Sequence, residues 1–225
     1  MTRYYPIMLR LEGEQCLVVG GGPVAERRTR GLLDAGAAVR VVAPAATEGL
    51  ERLASEGYIT WVRREYRDED LDGVRLCFAA ADRKVNHRVA EEAMRRGILV
   101  NAADDREAGS FAAPAVVRRG RLVLAVTASG ASPALAGRIA RELAERYGES
   151  WADYAEWLHR LRDATRAAVP DARERRRVLR AALDVPEAEW RRDLADGNLA
   201  ARIRELMERP VSPAAEDGMD GTDGE

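Results

Sequence analysis

Short apolar runs of four or five residues alternate, over the first hundred positions, with longer segments in which apolar residues recur every three or four. The first pattern suits strands buried on both faces, and the second suits the helices that cover them. Gln15 to Val19 is the first such run. A helix-like segment follows from Val24 to Ala35 and stops at Gly36, a residue suited to the left-handed position after a helix. Val39 to Ala43, Tyr58 to Val62, Leu76 to Ala80 and Ile98 to Asn101 continue the series. Thr47 and Asp82 stand where N-caps belong, the second opening a helix through Val85 to Arg96. Strands joined by helical crossovers predict an α/β fold, a Rossmann-like parallel sheet whose ligand lies outside the carboxyl ends of the strands.

The pattern changes after Asn101. Ala115 to Arg118 and Leu122 to Thr127 predict a β-hairpin turning at Arg119-Gly120-Arg121, and Ser132-Pro133 supplies a cap and a first-turn proline for a helix to Tyr147. From Glu149 to Arg209 there is no strand signal. Trp151, Tyr154, Trp157, Leu158 and Leu161 share one helical face, and Pro170 and Pro186 divide the region into short helices, so a small all-helical domain is expected over 149–210. The stretch 211–225 holds five acids and no base among Gly, Ala and Pro, which predicts a disordered acidic tail.

Composition narrows the function classes. The formal net charge is -2 and the pI about 5.9, which leaves no electrostatic footprint for nucleic acid. Lys84 is the only lysine among 36 basic residues, an arginine skew from which no binding role follows. Cys16 and Cys77 lie in strand-like runs as two buried thiols. With no targeting leader and no membrane span expected, the reading is a cytoplasmic protein.

Chemistry concentrates in Val18 to Arg28, VVGGGPVAERR. Gly20, Gly22 and Ala25 fill a G-x-G-x-x-A pattern placed after a strand and before a helix. The first glycine permits the tight turn, the second lets backbone approach a pyrophosphate, and the small third residue lets helix and strand pack closely. The helix start then offers free N–H groups and the positive end of its dipole to phosphates. A glycine-rich turn with no ligand is the plain alternative. The second strand ends in Val42-Ala43-Pro44, without the acid that usually holds the ribose hydroxyls of NAD.

Four segments carry a resemblance: Tyr5 to Arg28, Ala79 to Asn86 (AAADRKVN), Asn101 to Val117 (NAADDREAGSFAAPAVV) and Ser129 to Ala136 (SGASPALA). In them the chain resembles the precorrin-2 dehydrogenase family, which includes the dehydrogenase and ferrochelatase module of siroheme synthases. The resemblance implies an NAD-binding Rossmann domain over 1–113, a dimerisation region over 114–148 that makes a homodimer, and the helical domain beyond. It implies NAD-dependent oxidation of a tetrapyrrole, precorrin-2, to sirohydrochlorin, in some members followed by insertion of ferrous iron, which is then a substrate. Backbone contacts to the cofactor carry over to Gly22, Pro23, Val24, Pro44 and Ala45, and the preference for NAD over NADP rests on the resemblance.

The aspartate of the family's N-x-x-D motif maps onto Asp104, as the base that takes the substrate proton and assists metal insertion. Read from the residues alone, a turn or cap residue is the alternative for Asp104, and Asp105 is the better turn former. His87 and His159 are far apart and no acidic or cysteine cluster has metal-ligand spacing, so no resident metal site is expected. Arg106, Arg138, Arg141 and the cluster Arg173 to Arg180 are either clamps for substrate carboxylates or solvated helix faces. The family's S-T-G-G-x-S-P becomes Thr127 to Pro133, losing one hydroxyl and one glycine, and Ser129 in the glycine's place is tolerated if its backbone stays in an ordinary region. Two other functions stay open: a nucleotide-sensing Rossmann module and a non-catalytic tetrapyrrole carrier.

Overall fold

The computed structural model describes residues 4–105 and 107–209. Arg106 and the acidic tail lie outside the described residues. Five strands, β1 (Gln15–Val19), β2 (Ala38–Val42), β3 (Ile59–Val62), β4 (Leu76–Ala79) and β5 (Leu99–Ala102), form one parallel sheet in the order β3-β2-β1-β4-β5. Four consecutive residues of β1 are buried because the strand has a helical layer on each side. Cys16 and Val18 face a core with Ala25 and Leu32 of α1 (Pro23–Leu33) and Leu50 of α2 (Glu48–Ser55). Leu17 and Val19 face the other, with Val89, Ala90 and Ala93 of α3 (Arg83–Arg95).

The chain leaves β1 toward β2 and returns across it to β4, so the sheet reverses direction of build between β1 and β4. The crevice at that point is where such sheets bind ligands.

Local signals set the helix ends. Thr47 accepts the N–H of Leu50, Asp82 accepts those of Lys84 and Val85, and Gly36 takes φ 74° after α1. The strands shift by a residue or so from the expected bounds where the ladder decides: β5 runs on through Ala102, and the N–H of Ala103 still reaches the carbonyl of Ala79 at 2.9 Å. A short 3-10 helix at Asp68–Leu71, hidden in a charged stretch, buries Asp70. Arg64 holds that carboxylate at 2.7 and 2.8 Å, the N–H of Arg67 adds a third bond, and Arg40 donates to the Asp70 carbonyl. Burial alone would raise the Asp70 carboxyl; the Arg64 and Arg67 bonds outweigh it and hold it below the usual range.

The chain folds into two compact units, the second comprising Ala115–Val126 and the helices from Ala134 on. In it, β6 (Ala115–Arg119) pairs antiparallel with β7 (Leu122–Val126). Arg119 belongs to the strand opposite Leu122, so the connection is two residues rather than three. Arg119 also donates to the carbonyls of Ala144 (3.1 Å) and Tyr147 (2.9 Å) at the end of α4 (Pro133–Arg146), satisfying acceptors that a helix end leaves free.

Helices α5 (Ser150–Ala168), α6 (Ala172–Ala181), α7 (Glu187–Asp196) and α8 (Leu199–Glu208) enclose a core of Trp157, Leu161, Val178, Trp190, Ile203 and Leu206. Of the expected α5 face, Trp157 and Leu161 are fully buried and Tyr154 stacks on Trp157 with centroids 5.8 Å apart. Pro170 and Pro186 fall between helices, as their missing N–H requires. Arg202 is the buried cation of this unit, bonded to Asp193 at 2.7 Å and to Glu189 and Glu205 at 2.6 Å each.

Candidate functional site

A cleft of about 820 Å³ opens at the carboxyl ends of β1, β2 and β4, with Gly20, Gly21 and Gly22 on one wall and the 43–47 and 80–82 loops around them. Each glycine is there for a different reason. At Gly20, φ is 122° and a Cβ would stand 2.2 Å from the carbonyl oxygen of Ala80. At Gly21 a Cβ would stand 1.9 Å from that of Ala45. At Gly22 it would meet nothing within 4 Å. The space in front of Gly22 belongs to no protein atom.

Gly22 is also the N-cap of α1, where it provides no side-chain cap, and Pro23 follows at the first helical position. Thr47 and Asp82 cap α2 and α3, the other helices that start at this end of the sheet; α1 alone of the three keeps its first amides for an outside acceptor. Glu26 fixes the tilt of α1 by accepting Thr47 Oγ1 at 2.6 Å and Arg30 at 2.7 Å, and the Thr47 bond, then the Arg30 bond, holds its carboxyl below the usual range. An open cradle beside a glycine, an uncapped helix start and a cleft of this size fit a dinucleotide.

Of the residues expected at the cofactor, Gly20, Gly22, Pro44 and Ala45 line the cleft, while Pro23 and Val24 begin α1 beside it. Asp104 is exposed on the loop after β5. It is not itself on the cleft wall, but Asn86 of α3 joins it there. Asn86 Nδ2 donates to Asp104 Oδ1 at 2.6 Å and to the carbonyl of Ala81, a wall residue, at 3.1 Å. Asn86 Oδ1 accepts the N–H of Ala81 at 2.8 Å.

The rest of the 101–111 motif shapes the loop that carries Asp104. Ser110 Oγ accepts the N–H of Val100 at 2.9 Å, Asn101 Nδ2 donates to the carbonyl of Phe111 at 3.0 Å, and a Cβ on Gly109 would stand 2.9 Å from the Val100 oxygen. Asp105 Oδ1 accepts the N–H of Glu107, the turn role expected of it. Ser129 does not meet that condition. Its φ is 47°, so a serine bears left-handed strain, its N–H reaching Thr127 Oγ1 at 3.1 Å.

Sequence reasoning missed Gly21, Asn86, Tyr66, Lys84 and Arg88 of the site. Asn86 stands at the end of the AAADRKVN run but needs β4 and β5 to be paired before its target is near; Tyr66 and Arg88 meet across the cleft rim, the guanidinium 5.5 Å from the ring. Both cysteines are buried and free, and burial pushes the Cys16 thiol up to about 11, so neither is a thiolate nucleophile. Among the described residues no group of three or more His, Cys, Asp and Glu side chains is placed to hold a metal ion. No described helix is long and apolar enough to cross a membrane.

The sheet order, the glycine cradle and the uncapped helix define an NAD(P)-binding domain of the Rossmann class, and a family model described as NAD(P)-binding matches residues 7–115. The solved structure of SirC, titled a precorrin-2 dehydrogenase, is similar with a TM-score of 0.72 at 31% identity, covering 92% of this chain and all of that one. The siroheme synthase of Chromobacterium violaceum is 38% identical over 214 residues, 95% of this chain and 45% of its own length. That of Pseudomonas entomophila is 38% identical over 91% of this chain and 44% of its own. The chain thus spans less than half the length of these curated relatives. It belongs to the precorrin-2 dehydrogenase family.

Proposed function

We propose that this chain oxidises precorrin-2 to sirohydrochlorin with NAD, and that Asp104 is the base. The observation that carries the reading is the link from the dinucleotide cradle, through Ala81 and Asn86, to a carboxylate otherwise open to a substrate. A bound dinucleotide supplies the hydride acceptor. Gly20, Gly21 and Gly22 let backbone close around its diphosphate, the first amides of α1 hold it, and Asp104 takes the proton that leaves the substrate. Preference for NAD over NADP rests on the likeness to the precorrin-2 dehydrogenase family.

The proposal includes a homodimer in the cytoplasm. All of β7 except Ala125 is only half-buried in the single chain, and Val116 of β6 is exposed, which is more apolar surface than a hairpin facing water carries. Two buried free thiols suit a reducing compartment. Light scattering on the purified chain checks the mass: a monomer at micromolar concentration sinks the dimer.

The decisive experiment mixes the chain with precorrin-2 and NAD and follows NADH absorbance. Turnover with NAD well above that with NADP is expected. Tight NAD binding with no NADH formed would leave a sensor, and macrocycle binding with no NADH formed would leave a carrier. Ferrous iron insertion into the product, which we assign to the same carboxylate, is measured separately, and an Asp104→Ala variant with undiminished insertion refutes that assignment.

A further inference from the structure

We infer that Asn86 is the positioning residue for proton transfer: it holds Asp104 Oδ1 and so makes Oδ2 the oxygen that takes the proton. This rests on the reading of Asp104 as base. The Asn86 side chain is 1% exposed, and the amide's orientation is fixed by its surroundings. Its oxygen accepts the N–H of Ala81, so the other branch is the NH2, and both of that group's hydrogens have acceptors: the Ala81 carbonyl and Asp104 Oδ1.

An amide NH2 only donates. The lone pair of Oδ1 that meets it is occupied at 2.6 Å. Oδ2 has no hydrogen-bond partner among the described residues, and Asp104 has no ion-pair partner among them. Asp105 on its own loop accepts the N–H of Glu107, and Asp82 at the start of α3 accepts those of Lys84 and Val85, while the basic residues Arg83 and Lys84 share that turn and Lys84 lines the cleft.

The same amide grips both backbone groups of Ala81. The loop after β4, which borders the cofactor cleft, and the loop after β5, which carries the base, are therefore set against each other by one buried side chain. In the reaction, one substrate hydrogen leaves with its electron pair to the oxidised nicotinamide. The second leaves as a proton to Oδ2, its bonding pair staying in the macrocycle as the new double bond.

Two Asn86 variants test the inference. In Asn86→Ala, kcat falls about 10- to 100-fold while KM for NAD changes by no more than about twofold. Asn86→Asp keeps size and the acceptor for Ala81, but two carboxylates now share the contact. Like charges then replace the donor at the contact, and kcat falls at least as far as in Asn86→Ala.

A readout independent of turnover is the Asn86 side-chain amide resonance in cofactor-free protein, which moves in Asp104→Ala. Variants that lower only the melting temperature and keep the native kcat would overturn the inference, as would an amide resonance that ignores Asp104→Ala. Asp104→Asn turning over like the native chain would instead remove Asp104 as base, a distinct failure.

Discussion

Two polar side chains, Asn86 in the sheet unit and Arg202 in the helical unit, are both buried, yet their networks end differently. Arg202 meets three carboxylates from its own helices and nothing in that set is left over. Asn86 spends its bonds on the Ala81 backbone and on one carboxylate that is itself exposed and half unused. A closed network holds a fold together. A network that stops at an open acceptor is built to meet something else.

The contrast breaks most sharply at its two ends. Asp104→Ala is expected to lower NADH formation about 10²- to 10⁴-fold with an unchanged melting temperature, since only the open end is removed. Arg202→Ala leaves three acids facing one another and is expected to lower stability by about 3 kcal/mol in denaturant titration, with NAD affinity per folded molecule unchanged. If the Asp104 variant proves the unstable one, or the Arg202 variant the inactive one, the distinction between the networks is wrong.

The glycine turn sharpens the same contrast between two adjacent residues. Gly21→Ala puts a methyl into the Ala45 carbonyl and is expected to lower stability by about 2 kcal/mol. Gly22→Ala clashes with no protein atom, so its melting temperature should stay and its affinity for NAD should fall about tenfold, or about 1.4 kcal/mol, by calorimetry. Equal effects at the two positions would mean that no diphosphate occupies the space before Gly22.

The smallest effect is in the helical unit. Bonds from Arg121 and then Arg160 lower the Glu156 carboxyl from its ordinary 4.5 to about 2. A carboxyl lowered on folding adds stability above its unfolded value, and that contribution is lost as pH falls from about 4.5 toward 2. Melting curves across that window should therefore fall less steeply for Glu156→Gln than for the native chain, modestly, because the pair is partly exposed.

Local chemistry was legible in the sequence. The Thr47 and Asp82 caps, the left-handed Gly36 and the turn role of Asp105 each depend on near neighbours in the chain, and alternation between buried and helical runs was enough to predict a parallel sheet. What stayed hidden depends on distant chain. Gly21 is small because of Ala45, Asp70 is buried because Arg64 and Arg40 come to it, and Asn86 finds Asp104 only once β4 and β5 lie side by side. Ser129 shows the reverse: local preference argued for an ordinary backbone, and the surrounding turn imposed φ 47°.

The bare start of α1 makes the dinucleotide a missing piece of secondary structure as well as a reagent. If the diphosphate sits where we propose, it completes a helix start that has no side-chain cap, and each gain in occupancy adds to the stability of the native state. Starved of pyridine nucleotide, such a chain would be exposed to proteases before it was ever short of work.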